Sequence, residues 1–491
     1  MQLKRSFSYG VYLFFSFVNA ALAQNFSGLQ ASNFNGVHAI YQNPAGIADC
    51  RFKKHSNLVT TGLMFSNDYA SLALPFTFKE WITGNVPTQY LNASGNVQWQ
   101  SAWLQENLNG KPKNVYLGVE NRGPAYMSRL GRNGAFAIAT RTKGALQVNN
   151  VSESLVILGK NSLDSGRLQS TQISDSRFAV NINSYQELSA TFAHVLFNRK
   201  THYMKVGGTA KYLMGLGTAY AINNGLNFTM NGRDSLQLNQ SDVAVGYTQN
   251  ALLTRLNSGA FQLAIPTLRD IIGNGFGWDA GVVFEYRPDK ADFITSQNRY
   301  LLKVGASLLD MGKLTYGKQG KTYTIKNNTP VLIKLDSGFG KAFANGIDSG
   351  IDYARKYAQQ NLNYTEGTGR IETALPAILN FQVDWNVFKW FYVNVNWSQA
   401  VVSRRDIALR RPSSVVVMPR FESKWVECSV PLSVYNDYRN VGMGLYLRLG
   451  PVFFGTDNFI KSVNSNSYSS LDFYFGISTG LPGKKSKKKG S

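Results

Sequence analysis

Histidine and cysteine are nearly missing from this chain, with four of one and two of the other in 491 residues. His38, His55, His194 and His202 each stand alone, and no His-Glu-x-x-His, Cys-x-x-Cys or Gly-x-Ser-x-Gly occurs. Zinc proteases, structural zinc modules and hydrolase elbows therefore lack their minimum residues. Cys50 and Cys428 lie almost a whole chain apart and can form one bridge at most, which is no disulfide framework. Acidic residues are also scarce, 29 against 51 Lys and Arg, and too dispersed to single out a glycosidase pair. "GKQGKT", Gly317 to Thr322, ends like a phosphate loop but has Thr315 where that loop needs its first glycine. The sequence reads as a non-enzyme with no metal site and no cofactor. Beyond the first two dozen residues there is no run of about 18 apolar residues, so no helical membrane span is expected.

The opening "MQLKRSFSYGVYLFFSFVNAALAQ" sets Lys4 and Arg5 before an apolar run and Ala21-Leu22-Ala23, the order of a secretory signal peptide over residues 1–23. The formal charge is +22, of which Lys4 and Arg5 carry two and the lysines of the 481–491 tail five, leaving +15 on the body. Such a field favours anionic partners such as lipid head groups and fatty carboxylates. Nucleic acid is not among them, since an exported chain without a binding module has no route to it.

What the chain does have is aromatic residues at 13%, 45 glycines and only 16% charged residues, a composition that suits β-structure and outer-membrane barrels with aromatic girdles. Residues 24–55 show no period. From "SNLVTTGLMFSNDYASLALPFTFK" onward, apolar and small or polar residues alternate, with Asn67-Asp68 predicting a hairpin. The alternation returns in "GAFAIATRTKG", in "QELSATFAHVLFN", which makes His194 a wall side chain, and in "GWDAGVVFEYRP". It is sharpest in "WFYVNVNWSQAV", with Phe391, Val393, Val395 and Trp397 on one face and Tyr392, Asn394, Asn396 and Ser398 on the other. "LDFYFGIS" likewise groups Leu471, Phe473, Phe475 and Ile477, the candidate lipid face, opposite Asp472, Tyr474, Gly476 and Ser478. A soluble sandwich alternates too. Glycine on the opposite faces points to a barrel lumen, and counting segments gives about fourteen strands. One stretch departs: Phe343, Ile347, Ile351, Ala354 and Ala358 recur at helical spacing, predicting a helix in a long loop.

"QNPAG" places Asn43, Pro44, Ala45 and Gly46 where a type I turn prefers them. Taken with the signal peptide and the alternating strands, "SNFNGVHAIYQNPAGIAD" resembles the start of FadL-type outer-membrane transporters, which carry an Asn-Pro-Ala-Gly hatch inside a fourteen-stranded barrel. The closing half is similar to an uncharacterised family of Bacteroidota outer-membrane proteins with the same signature. The resemblance implies an all-β antiparallel transmembrane barrel in the Gram-negative outer membrane. It implies a plug over 24–55, a barrel over 56–480, and Asn43 to Gly46 as the hatch turn. It also implies uptake or binding of a hydrophobic or amphipathic molecule, with outer-membrane lipid and that ligand as partners. FadL-like barrels also serve as accessory subunits of secretion or assembly complexes, so a non-transporting role stays open, as does a soluble β-rich surface protein.

Overall fold

The computed structural model describes residues 26–482 apart from stretches within the loops, the longest at 161–167, 289–299, 459–466 and parts of 249–270 and 335–346. The signal peptide and the Lys-rich tail lie outside the described residues. Fourteen antiparallel strands close on themselves. In chain order they are β1 (Phe52–Asn67), β2 (Lys113–Leu130), β3 (Gly134–Val151), β4 (Ala179–Arg199), β5 (His202–Met230), β6 (Gly273–Tyr286) and β7 (Leu302–Tyr316). The second half is β8 (Ile378–Phe388), β9 (Phe391–Ala400), β10 (Ser414–Glu422), the interrupted β11 (Val426–Ser429 and Leu432–Tyr435) and β12 (Asn440–Met443 and Leu445–Leu449), then β13 (Val452–Thr456) and β14 (Ser470–Pro482). Met64 sits opposite Asp472 where β14 closes onto β1. Closure satisfies every ladder and leaves no edge, the condition for strands to cross hydrocarbon.

Tight turns join strands at one mouth, as between Leu130 and Gly134, Phe388 and Phe391, or Leu449 and Val452. At the other mouth most connections are long, the turn between Tyr435 and Asn440 excepted. The expected helix is there, Ile347–Asn361, with Ala358 buried, while Phe343 lies outside the described residues. The wall is uneven in height. β5 runs 29 residues, about 95 Å at ~3.3 Å per residue, and its upper part pairs with Ser235–Thr248 in place of β6. The hairpin expected at Asn67-Asp68 does not form. Asn67 Oδ1 accepts from the amides of Tyr69 and Ala70, an Asx turn as its chemistry favours. The short strand that follows, Ala70–Ala73, pairs instead with Leu104–Glu106 and Ser467–Tyr468. A local turn signal cannot report a partner hundreds of residues away.

The burial pattern is inside out relative to a soluble protein. On β9, Tyr392, Asn394, Asn396 and Ser398 are buried while Val395 and Trp397 are exposed. Outward side chains elsewhere include Ile138, Phe192, Phe276, Trp278 and Phe381, and Phe388, Trp390, Phe421 and Trp425 gather near the tight turns as an aromatic belt does. His194 also faces out, its ring stacked on Phe192 at 6.5 Å. This greasy exterior is what a soluble surface protein would not tolerate. On β14, Phe475 and Ile477 are exposed and Leu471 and Phe473 half-buried, while Asp472 and Tyr474 are buried. Phe475→Arg is expected to cost about 2–4 kcal/mol near the bilayer midplane and to reduce the heat-modifiable folded band on gels. Ser478→Arg should leave that band near wild type, and equal loss for both would mean the face is misassigned.

Candidate functional site

The lumen is filled at three levels, and the inward residues of β3 spell them out: Ala135, Ala137 and Ala139, then Arg141 and Lys143, then Gln147 and Asn149, all buried. At the first level the alanines, with Ala125, Ala193 and Met127, leave room for residues 26–51, whose Val37, Ile40, Tyr41, Ile47 and Ala48 pack on them. On the adjoining strands β5–β7 the same room comes from glycine, Gly207 lying directly across from Ala193. Gly207 and Gly281 are cross-strand partners. A Cβ on Gly207 would stand 2.5 Å from the Ala45 nitrogen, one on Gly281 2.1 Å from Asn43 Oδ1, and one on Gly305 3.1 Å from Asn43 Nδ2.

Asn43 to Gly46 rest on that seat. Asn43 Oδ1 accepts from the Ala45 amide at 3.0 Å, and the Gly46 amide donates to the Asn43 carbonyl at 2.9 Å, which closes the turn. Asn43 Nδ2 donates to the carbonyls of Val282 and Ala306 on β6 and β7. Ser307 Oγ donates to the Gln42 carbonyl at 2.6 Å. Around the tight-turn mouth Asp49 pairs with Arg129 and Arg287, and Arg51 with Glu422 at 2.6 Å. The segment's start is held too: Ser27 Oγ donates to Asp457 at 2.9 Å, the Gly28 amide to the Tyr474 hydroxyl, and Ser32 Oγ to Glu427. Neither Cys50 nor Cys428 is in a disulfide.

His38 of this segment is fully buried. Burial first, then the Arg122 cation, holds its pKa well below the ordinary value of 6.5. The seated segment thus keeps His38 neutral, while an unseated one would protonate normally. Its contribution to the closed state is full above pH ~6.5 and is lost as pH falls toward the depressed value, by up to about 1.4 kcal/mol per unit. The melting temperature of the purified barrel should fall between pH 7.5 and 5, and His38→Phe should flatten that slope. An unchanged slope in the variant would remove His38 from the account.

The second level is ionic. Among the described residues, Asp310 meets Arg141 at 2.7 Å, Lys143 at 3.1 Å and Lys211 at 2.5 Å, Lys211 also meets Asp279 at 2.6 Å, and Arg141 meets Glu187 at 2.5 Å. Glu120 joins through Lys143 at 3.5 Å and holds Arg122 at 2.8 Å, whose guanidinium lies over the rings of Phe26 and Tyr41. Asp310 owes its place to a bulge. The β6–β7 register slips between Trp278 and Ala280, Asp310 takes φ +53°, and its amide donates to Asp279 Oδ1 at 2.7 Å.

The third level is the 401–413 connection folding into the lumen from the long-loop side. Gln147 exchanges hydrogen bonds with the main chain of Arg410 at 2.8 and 3.0 Å, Arg410 is bidentate to Asp437, and Leu409 packs among Tyr116, Tyr185, Leu213 and Tyr316. The turn residues Asn43 to Gly46 meet the wall where described, and the lipid-face candidates lie on the outside of β14 away from the lumen. The carboxylates and cations of the middle level escape sequence reasoning. Their one local signal is inward parity on a strand, as Arg141 and Lys143 share the phase of Ala137 and Ala139 in "AFAIATRTK".

A closed, even-stranded antiparallel wall with an apolar exterior, a polar interior, tight turns at one mouth and long loops at the other defines a transmembrane β-barrel of the outer-membrane type. The chain belongs to the family of unknown function DUF5723, whose model matches residues 44–457. No curated protein matches it. It is similar to two solved structures, the P. putida toluene transporter TodX (9% identity, TM-score 0.41, covering 92% of this chain and 95% of that one) and the Ralstonia pickettii toluene transporter TbuX (9%, 0.40, 91% and 94%). It is also similar to the translocator domain of the autotransporter NalP from Neisseria meningitidis (8%, 0.28, 87% and 88%). At these TM-scores the likenesses carry no weight for function.

Proposed function

We propose that the protein works in the Gram-negative outer membrane as a gated barrel that takes up or binds an amphipathic molecule, with residues 26–51 as the plug and Asn43 to Gly46 as its hatch turn. The observation that carries this is the seat: alanines on β2–β4 and glycines on β5–β7 are fitted to a segment held only by non-covalent contacts, a removable part more than a permanent core. The lumen wall is charged, so the cargo needs a polar group and a bare hydrocarbon is a poor fit. A second reading, a non-transporting barrel serving as a subunit of a secretion or assembly complex, is favoured by the filling of all three levels.

Deleting Gln42 to Ile47 together with 402–411 tests both. The strands pass through neither segment, so the barrel should assemble. The uptake reading expects solute flux into proteoliposomes and release of co-purified lipid. The subunit reading expects no flux and the loss of co-purifying envelope proteins.

A further inference from the structure

At the tight-turn mouth, where the plug meets β5–β8, a cavity of about 60 Å³ opens between Arg51, Lys205, Arg287 and Lys303 on one hand and Asp49 and Glu285 on the other. A water needs only ~10–15 Å³ measured this way, so the space holds about four waters or one small anion. Each lining cation already has a carboxylate partner: Lys205 (2.5 Å) and Arg287 share Glu285 on the cavity wall, while Lys303 pairs with Asp384 at 3.3 Å and Arg51 with Glu422 away from it. Counting the charges paired with these adds Arg129, Asp384 and Glu422, so that five cations face four carboxylates, and one contact further Arg420, Arg448 and Glu427 bring the totals to seven and five. The excess of two is concentrated in a place reachable from the mouth, for Arg287, Arg129 and Lys303 keep 16–19% of their side chains exposed. Asp49, the one lining carboxylate that belongs to the plug, is held by two guanidinium groups, Arg129 and Arg287.

We propose that this pocket binds a single small oxyanion group, a carboxylate or a phosphate, which replaces Asp49 on Arg287 and Arg129 and so loosens the plug from the tight-turn side. Guanidinium forks suit either anion bidentately. The exchange needs no net charge to be buried, since one anion leaves the pair as another enters. This rests on the reading of residues 26–51 as a plug.

The test uses the full-length barrel in detergent, with Cys428→Ser leaving Cys50 as the single thiol. Inorganic phosphate and hexanoate are titrated separately by calorimetry, and the rate of maleimide labelling at Cys50 is followed. Expected are saturable binding of at least one of the two, weakened about tenfold by Arg287→Gln, and labelling that rises with occupancy. Hexanoate alone would mark a carboxylate site, phosphate alone a phosphate site. Lys205→Gln serves as a second variant should Arg287→Gln fail to assemble, and Lys313→Gln, an exposed cation elsewhere on the wall, should bind as wild type. No saturation by either anion below about 10 mM, or binding indifferent to both variants, overturns the site. Binding that leaves labelling unchanged overturns the loosening, provided Gly281→Val does raise labelling. If Gly281→Val leaves labelling unchanged as well, it is the plug reading that fails.

Discussion

Asp310→Asn should cost the barrel most of its resistance to urea. Asparagine tolerates the left-handed backbone at φ +53° about as well as aspartate, so the substitution removes charge while sparing the bulge. What it leaves is Arg141, Lys143 and Lys211 crowded around a neutral amide, all at most 9% exposed. Removing one partner from a buried ion pair typically costs about 3–5 kcal/mol, chiefly because the charge left behind has no water to turn to. Here three cations share the loss, each keeping one other carboxylate: Arg141 Glu187, Lys143 Glu120 and Lys211 Asp279. The urea midpoint should drop markedly, and adding Lys143→Met, which removes the one cation then in excess, should recover part of it. If Asp310→Asn matches wild type, the middle level is a solvated polar zone and not a closed ion-pair lattice.

Gly281→Val should unseat the plug without harming the wall. Gly281 has ordinary strand dihedrals, valine favours strands, and its partners Gly207 and Ser307 are small. A branched side chain nevertheless has nowhere to go: its first carbon alone would lie 2.1 Å from Asn43 Oδ1 and 3.0 Å from Pro44 Cδ. The turn must lift, and maleimide labelling of Cys50 should accelerate at least about tenfold, the rate change that goes with a local opening easier by ~1.4 kcal/mol. Solute flux should stay low in this variant, because the connection between β9 and β10 still closes the lumen. It should appear when Gly281→Val is combined with deletion of 402–411. Gly208→Val, one residue along β5 from Gly207 and facing out, is the control. Slow labelling in Gly281→Val would show that the turn is not what fills the space above the glycines.

The wall was legible because a strand repeats every two residues, and the chemistry of each phase survives in the sequence: "WFYVNVNW" separates its lipid phase from its lumen phase without any knowledge of neighbours. The strand count followed from the same repeat. The Asn43 to Gly46 turn was legible because its hydrogen bonds are local. The ionic level was not, since Arg141, Lys211, Asp279 and Asp310 come from four different strands and meet only when the register is set. Asn67-Asp68 shows the limit from the other side. The turn chemistry was right, yet the following strand found its partners at Leu104–Glu106 and Ser467–Tyr468. The glycine seat fell between the two: "GWDAGVVFEYRP" was legible as an alternating strand, but what leans on Gly207 and Gly281 comes from the far N-terminus.

That N-terminus also sets an order of events. Ser27 answers to Asp457, Ser32 to Glu427 and Asn43 to Val282, separations of 430, 395 and 239 positions. Contacts so distant in sequence form late, because the intervening chain must first be brought to heel by its own pairing. The earliest residues of the body to be synthesised are therefore the last to find their places, and they can do so only when β11 and β13 have arrived. A loose amino terminus then marks a cylinder still under construction, and a docked one certifies that the final seam has zipped. Any protease that trims dangling ends at the tight-turn mouth would sort completed molecules from stalled ones by reading that single segment.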